Sequence, residues 1–130
     1  MAAVHRYLLS LFTLGVVVEF FLAGLGVFRV QDGASASRFD HMFGPHRTLG
    51  NVLLILALLV LVAAILARLG RVRVLISLLV PLLVYLQFVF ADHGSTWFRA
   101  LHPVNAVLVL ALAGSFTGRL WREHRAASTG

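Results

Sequence analysis

Residues 48–67 read TLGNVLLILALLVLVAAILA and include no charged side chain. A helix that crosses a bilayer needs about 20 apolar residues, and this segment supplies them. Three comparable apolar runs flank it, at about 7–27, 72–91 and 104–120. The sequence therefore predicts an all-α protein, a bundle of four transmembrane helices.

The composition agrees with a membrane protein and excludes several kinds of site. The 130 residues are 60% hydrophobic and 12% charged, whereas a soluble domain is about 45–50% apolar and about 25% charged. The chain has no cysteine, which excludes thiolate zinc sites, iron–sulfur clusters and covalent haem attachment. We expect one transmembrane domain over residues 1–125, and a disordered tail at 126–130.

The net charge of +6 comes from eleven arginines and no lysine. In so hydrophobic a chain, positive charge sets the membrane orientation, and we do not expect nucleic acid as a partner. Arginines precede the first helix, fill the link between helices two and three, and follow the fourth helix. This pattern predicts a multi-pass protein of the bacterial plasma membrane with both termini in the cytoplasm.

Four of the six histidines lie at the outer ends of the helices or in the outer loops under this orientation, and they are His41, His46, His93 and His102. The other two, His5 and His124, lie among terminal charges on the opposite face. We expect those two to be solvated interfacial residues without a functional role.

The chain is a weak tandem repeat of two helix–loop–His–helix units. His46 lies where helix two begins and His102 lies where helix four begins, while Glu19 in helix one aligns with Gln87 in helix three. A two-fold axis normal to the membrane would bring the two histidines to the same depth. Two neutral imidazoles that face each other across an apolar bundle are typical of bis-histidine ligation of a b-type haem.

Two arginines would complete the haem site, and two alternatives to haem stay open for the histidines. Arg47 and Arg99 are placed to bind the haem propionates. A zinc ion is the first alternative, with His41 and His93 as further ligands. The second alternative has no metal, and the two histidines at the helix entrances only anchor those helix ends at the headgroup level.

The His-Arg-x-x-Gly segment from His46 to Gly50, together with Gln87 and the His-Pro-Val-Asn segment from His102, resembles one half of the heme A synthase family. It is also similar to a group of small, uncharacterised bacterial four-span proteins. The resemblance implies a haem held between histidines of the second and fourth helices. Phe43 stands where the catalytic half of that family has an acidic residue, so we expect haem binding without oxidation of a haem methyl group.

Haem capture, buffering or sensing is the predicted function, electron transfer is also open, and no catalytic residue is assigned. Glu19 is an acidic residue within an apolar span, which keeps a small proton-coupled transporter as an alternative, beside a structural partner subunit. Gly15, Gly24 and Gly26 of helix one would permit contact between two copies of the chain. Membrane lipid is the other expected partner.

The orientation can be tested with single cysteines, because the natural chain has none. We expect Ser35→Cys to react with a membrane-impermeant thiol reagent in intact cells, since the loop after helix one is predicted to lie outside. Ser128→Cys should react only after the membrane is permeabilised. The reverse pattern would place the four outer histidines on the cytoplasmic face.

Overall fold

A computed structural model of the protein describes residues 1–32 and 39–129. Its helices are α1 Ala2–Gln31, α2 Phe39–Leu66, α3 Arg71–Asp92, α4 Thr96–Arg99 and α5 Leu101–Ser128. The four long helices are each long and apolar enough to cross a membrane, and the described residues include no strand. The predicted all-α four-helix bundle is therefore confirmed, with α5 as the fourth predicted helix.

The helices extend beyond the apolar runs at several ends. α2 begins at Phe39, well before residue 48, and α5 continues to Ser128, past the expected domain boundary at 125. At that end Ser128 and Thr129 both donate hydrogen bonds to the carbonyl oxygen of Arg125, at 2.9 and 3.3 Å. The tail expected from residue 126 is thus helical over its first three residues, because arginine, glutamate and alanine favour helix even outside an apolar span.

α4 is a single turn that the sequence did not predict. It lies between α3 and α5, and the hydroxyl oxygen of Ser95 accepts a hydrogen bond from the backbone nitrogen of Phe98 at 3.5 Å. Serine is a preferred residue at this position because its side chain satisfies a free backbone donor of the first turn. The turn places Arg99 directly before α5.

The long helices form a ring in which each one packs against two others. α1 packs against α2 and α5, and α3 packs against the same two helices. Among the described residues, the backbones of α2 and α5 do not approach each other closely, and neither do those of α1 and α3. Side chains from α2 and α5 can therefore meet across the centre of the bundle, as the repeat of two helical units predicts.

The core consists of small and medium apolar side chains spaced by three or four residues along each helix. Leu9, Phe12 and Val16 supply it from α1, and Val60 and Val80 from the two neighbouring elements α2 and α3. Apolar side chains also cover the outward faces, and Ile55, for example, is 61% exposed. A helix that is apolar on all sides is suited to contact with lipid.

Two of the three glycines of helix one allow α1 to approach α2 of the same chain. A β-carbon at Gly15 would lie 2.6 Å from Cδ2 of Leu53, and one at Gly26 would lie 2.6 Å from Cε1 of Phe43. A β-carbon at Gly24 would meet nothing within 4 Å. The proposed contact between two copies through this helix stays a prediction.

We expect Gly15→Ala to lower the free energy of unfolding by about 1–3 kcal/mol, because the added methyl group overpacks against buried Leu53. Gly24→Ala is the matched control and should be neutral or slightly stabilising, since alanine favours helix and the position has room. Unfolding in mild detergent, followed by circular dichroism, measures both. Equal stability of the two variants would contradict the close approach of α1 and α2.

Candidate functional site

His46 of α2 and His102 of α5 meet across the diagonal of the bundle. The centroids of their imidazole rings are 6.2 Å apart, and the ring planes are inclined by 73°. His46 is the eighth residue of α2 and His102 is the second residue of α5, yet they reach the same depth. The structure therefore brings together the two histidines that the repeat pairs.

An oxygen atom lies beside Nδ1 of each ring, a main-chain carbonyl oxygen for His102 and a carboxylate oxygen for His46. Nδ1 of His102 is 3.0 Å from the carbonyl oxygen of Gln87, and Nδ1 of His46 is 3.2 Å from Oε1 of Glu19. A carbonyl oxygen can only accept a hydrogen bond, so Nδ1 of His102 must carry the proton. This tautomer leaves Nε2 of His102 with a free lone pair.

Glu19 lies close to His46, but no well-aligned hydrogen bond joins the two side chains. Its second oxygen, Oε2, is buried and has no hydrogen-bond partner among the described residues, and Nδ1 of His46 also lacks an aligned bond. The side chains of the two residues are only 17% and 19% exposed. A carboxylate at this position stabilises positive charge on the imidazole or on a group bound to it.

Gly50 provides the space for this carboxylate. It lies one turn after His46 in α2, and a β-carbon there would be 3.2 Å from Oε1 of Glu19 and 3.8 Å from Phe88. The close approach of the Glu19 carboxylate therefore explains why the last position of the His-Arg-x-x-Gly segment is a glycine in this chain. Sequence reasoning quoted the residue without finding that reason, because the partner lies on another helix.

Asn105 is a polar residue of the site that sequence reasoning missed. It is 4% exposed, its Nδ2 donates to the carbonyl oxygen of Leu83 at 2.8 Å, and the same Nδ2 lies 2.9 Å from the side-chain amide of Gln87. The signal was present in the sequence, since an asparagine three residues after His102 lies on the same helix face. Asn105 fixes α5 against α3 beside the paired histidines.

Phe43 borders the pair, whereas the two predicted arginines and the two other outer histidines are exposed to solvent. The ring of Phe43 stands edge-on to His46, with the centroids 6.3 Å apart. Arg47, Arg99, His41 and His93 are exposed. Within residues 1–32 and 39–129, no three histidine or acidic side chains converge on one point, so the four-histidine arrangement of the zinc alternative is not assembled.

Comparison with known proteins identifies the family of the chain. The sequence profile of a family of unknown function, DUF6220, matches residues 19–96, which is more than half of the chain. The protein belongs to the DUF6220 family. The matched segment contains Glu19, His46 and Gln87 and ends before His102. No curated protein and no solved structure matches this DUF6220 chain.

His5 of this DUF6220 protein contradicts the expectation of a solvated residue. It is 0% exposed, its Nε2 lies 3.0 Å from the hydroxyl of Ser77, and its ring stands edge-on to Phe116 with the centroids 5.6 Å apart. Because α1 begins at Ala2, His5 falls on the same face as the core residue Leu9, one turn later. His124, by contrast, is exposed as expected.

Asn105→Ala should lower the free energy of unfolding by about 0.5–1.5 kcal/mol, because it removes the hydrogen bond that a buried side chain of α5 donates to α3. Asn51→Ala is the matched control, since Asn51 is an exposed asparagine of α2, and its effect should stay within about 0.5 kcal/mol. Unfolding of both variants in detergent can be followed by circular dichroism. A loss at Asn51 as large as that at Asn105 would contradict the role given to Asn105.

Proposed function

We propose that this protein binds a b-type haem between α2 and α5, with His46 and His102 as the axial ligands of the iron. The observation that carries the proposal is the 6.2 Å separation of their ring centroids across the diagonal. Two metal–imidazole bonds of about 2 Å each, together with the distances from each ligating nitrogen to its ring centroid, span roughly 6 Å. The observed separation is close to the one that two imidazoles bound to a single iron would have, which supports the proposal.

The contacts at the Nδ1 atoms also support ligation through Nε2. Histidines that bind a metal commonly have their other ring nitrogen held by a backbone carbonyl or a carboxylate, which fixes the ring orientation. His102 has the carbonyl oxygen of Gln87 in this position, and His46 has the carboxylate of Glu19. When bound, the haem would supply an iron that takes up or releases one electron.

Arg47 and Arg99 would bind the propionates at the edge of the site. Arg47 directly follows His46, and Arg99 lies three residues before His102. Both arginines are exposed, so their charges lie near the end of the bundle rather than within it. Guanidinium groups form charge-assisted hydrogen bonds with carboxylates. Under the orientation favoured by the arginines, this end faces the outside of a bacterial plasma membrane.

Capture, buffering or sensing of haem is the role that we propose for this site. The ring of Phe43 lies beside His46, so the position that would carry an acid for chemistry on the haem periphery holds an apolar side chain. The contact of Glu19 with His46 favours a positioning role for this carboxylate over the alternative role in proton-coupled transport. Binding without catalysis is the function that these contacts favour.

The absorption spectrum of the purified protein tests the proposal. Protein from haem-replete cells should show a Soret band and, after reduction with dithionite, the sharp α and β bands of a six-coordinate b-type haem. His46→Ala and His102→Ala should each lose the haem or leave it five-coordinate and high-spin. His41→Ala and His93→Ala are matched controls because both histidines are exposed, and they should keep the low-spin spectrum.

Arg47→Ala and Arg99→Ala should weaken haem binding less than the histidine variants, because each removes a solvent-exposed contact and leaves the iron bonds intact. Haem transfer to apomyoglobin measures the difference. A protein that is colourless and takes up no added hemin would overturn the proposal. Loss of haem from His93→Ala but not from His102→Ala would move the site to the loop between α3 and α5.

A further inference from the structure

A second polar region lies at the end of the bundle opposite the paired histidines. We call it the arginine end, and it contains seven of the eleven arginines of the chain: Arg6, Arg68, Arg71, Arg73, Arg119, Arg122 and Arg125. Of the five acidic residues, only Glu123 lies there. Seven arginines against one acid give this end a formal charge of +6.

Two adjoining cavities open between the helices at the arginine end. The first has a volume of about 150 Å³ and is lined by His5, Arg6, Arg73, Glu123 and His124 among others. The second, of about 280 Å³, lies beside the first residues of α3 and is lined by Arg71 and Arg119 as well as by Arg73 and Glu123. Cationic side chains from α1, α3 and α5 thus converge on one region.

Two buried nitrogen atoms beside the first cavity lack partners. Nδ1 of His5 and Nε of Arg6 are buried without a hydrogen-bond partner among the described residues. His5 is completely inaccessible to solvent, whereas Arg6 is partly exposed. The guanidinium group of Arg6 is therefore the one of the two that can donate to a ligand with acceptor oxygens.

The guanidinium group of Arg6 is held in a fixed position. Its central carbon lies 4.6 Å from the centroid of the Trp121 ring, and the indole nitrogen of Trp121 donates to the hydroxyl of Ser10 at 2.9 Å. Stacking of this kind covers one face of the guanidinium and leaves its edge for hydrogen bonds. Arg6 is therefore arranged to bind an oxyanion.

The acidic residue of the arginine end does not neutralise the cavity. Oε2 of Glu123 accepts a hydrogen bond from Arg73 at 2.9 Å. Arg6, Arg71 and Arg119 have no carboxylate partner in the part of the chain that the structure describes. Positive charge therefore exceeds negative charge around both cavities.

We propose that the arginine end binds the phosphate group of an anionic lipid headgroup, with Arg6 as its principal donor. Basic pockets between transmembrane helices are typical sites for such headgroups, and arginine forms paired hydrogen bonds with phosphate oxygens. Apolar side chains of α1 continue from the site toward the middle of the span, where acyl chains would lie, since Tyr7, Leu11 and Leu14 are 60%, 57% and 60% exposed. This continuity favours a lipid over free phosphate.

Trp121 can report binding directly. The chain has two tryptophans, and Trp97 is 88% exposed at the other end of the bundle, so Trp97→Phe leaves Trp121 as the single tryptophan. Phosphatidylglycerol is titrated into the full-length Trp97→Phe protein in mild detergent, with phosphatidylcholine and inorganic phosphate in parallel. We expect a saturable change of Trp121 emission with phosphatidylglycerol and a much weaker response to phosphatidylcholine.

Arg6→Gln should weaken phosphatidylglycerol binding about tenfold or more, because it removes a charge-assisted contact. Arg125→Gln is the matched control, since it removes one charge at the same end from a residue that lines neither cavity, and binding should change less than about twofold. In the Trp97→Phe protein, millimolar inorganic phosphate should displace the bound lipid, because the lipid phosphate is the group that the site recognises. This competition experiment does not require the Arg6 variant to be stable.

Each outcome bears on the proposal. Binding of inorganic phosphate without binding of phosphatidylglycerol would overturn the lipid as the source and assign the site to a free anion. Equal weakening by Arg6→Gln and Arg125→Gln would overturn the site itself, since it would indicate attraction by net charge alone. Trp121 emission that changes with neither phosphatidylglycerol nor inorganic phosphate would also overturn the site. None of these readouts depends on haem, so they are independent of the function proposed for the opposite end.

Discussion

Polar side chains within a bundle that faces lipid must find their partners inside the chain, because the surrounding hydrocarbon offers none. The layer around His46 and His102 follows from this constraint. Glu19, Gln87 and Asn105 are the polar residues on which the layer depends, and each contacts a neighbouring helix. The Glu19 carboxylate lies beside Nδ1 of His46, the main-chain carbonyl of Gln87 lies beside Nδ1 of His102, and the two rings meet across the bundle.

The apolar core separates two regions with different chemistry. Phe12, Val60 and Val80 are almost completely buried and occupy the middle of the bundle, between the paired histidines and the arginine end. One region holds two imidazoles and a carboxylate, whereas the other holds guanidinium groups in excess over a single acid. A ligand with a metal suits the first region and an anion suits the second, so the two proposals can be tested separately.

Much of this architecture follows from local pattern in the sequence. Apolar runs of bilayer length predict the four helices, and the repeat predicts that His46 and His102 meet, which their 6.2 Å centroid separation matches. The surroundings of these residues depend on contacts between helices, which local pattern does not contain. Gly50 leaves room for the side chain of Glu19, which lies on another helix. The burial of His5 depends on α1 beginning earlier than its apolar run. The short helix α4 likewise depends on a serine cap rather than on an apolar repeat.

Electron paramagnetic resonance of the oxidised, purified protein gives a decisive test of the proposed ligation, because the signal of ferric haem depends on both axial ligands. We predict one low-spin signal characteristic of two imidazole ligands, which is converted to a high-spin signal or lost in His46→Ala and in His102→Ala alike. A high-spin signal from the natural protein, or a low-spin signal that persists in either variant, would contradict haem ligation by His46 and His102.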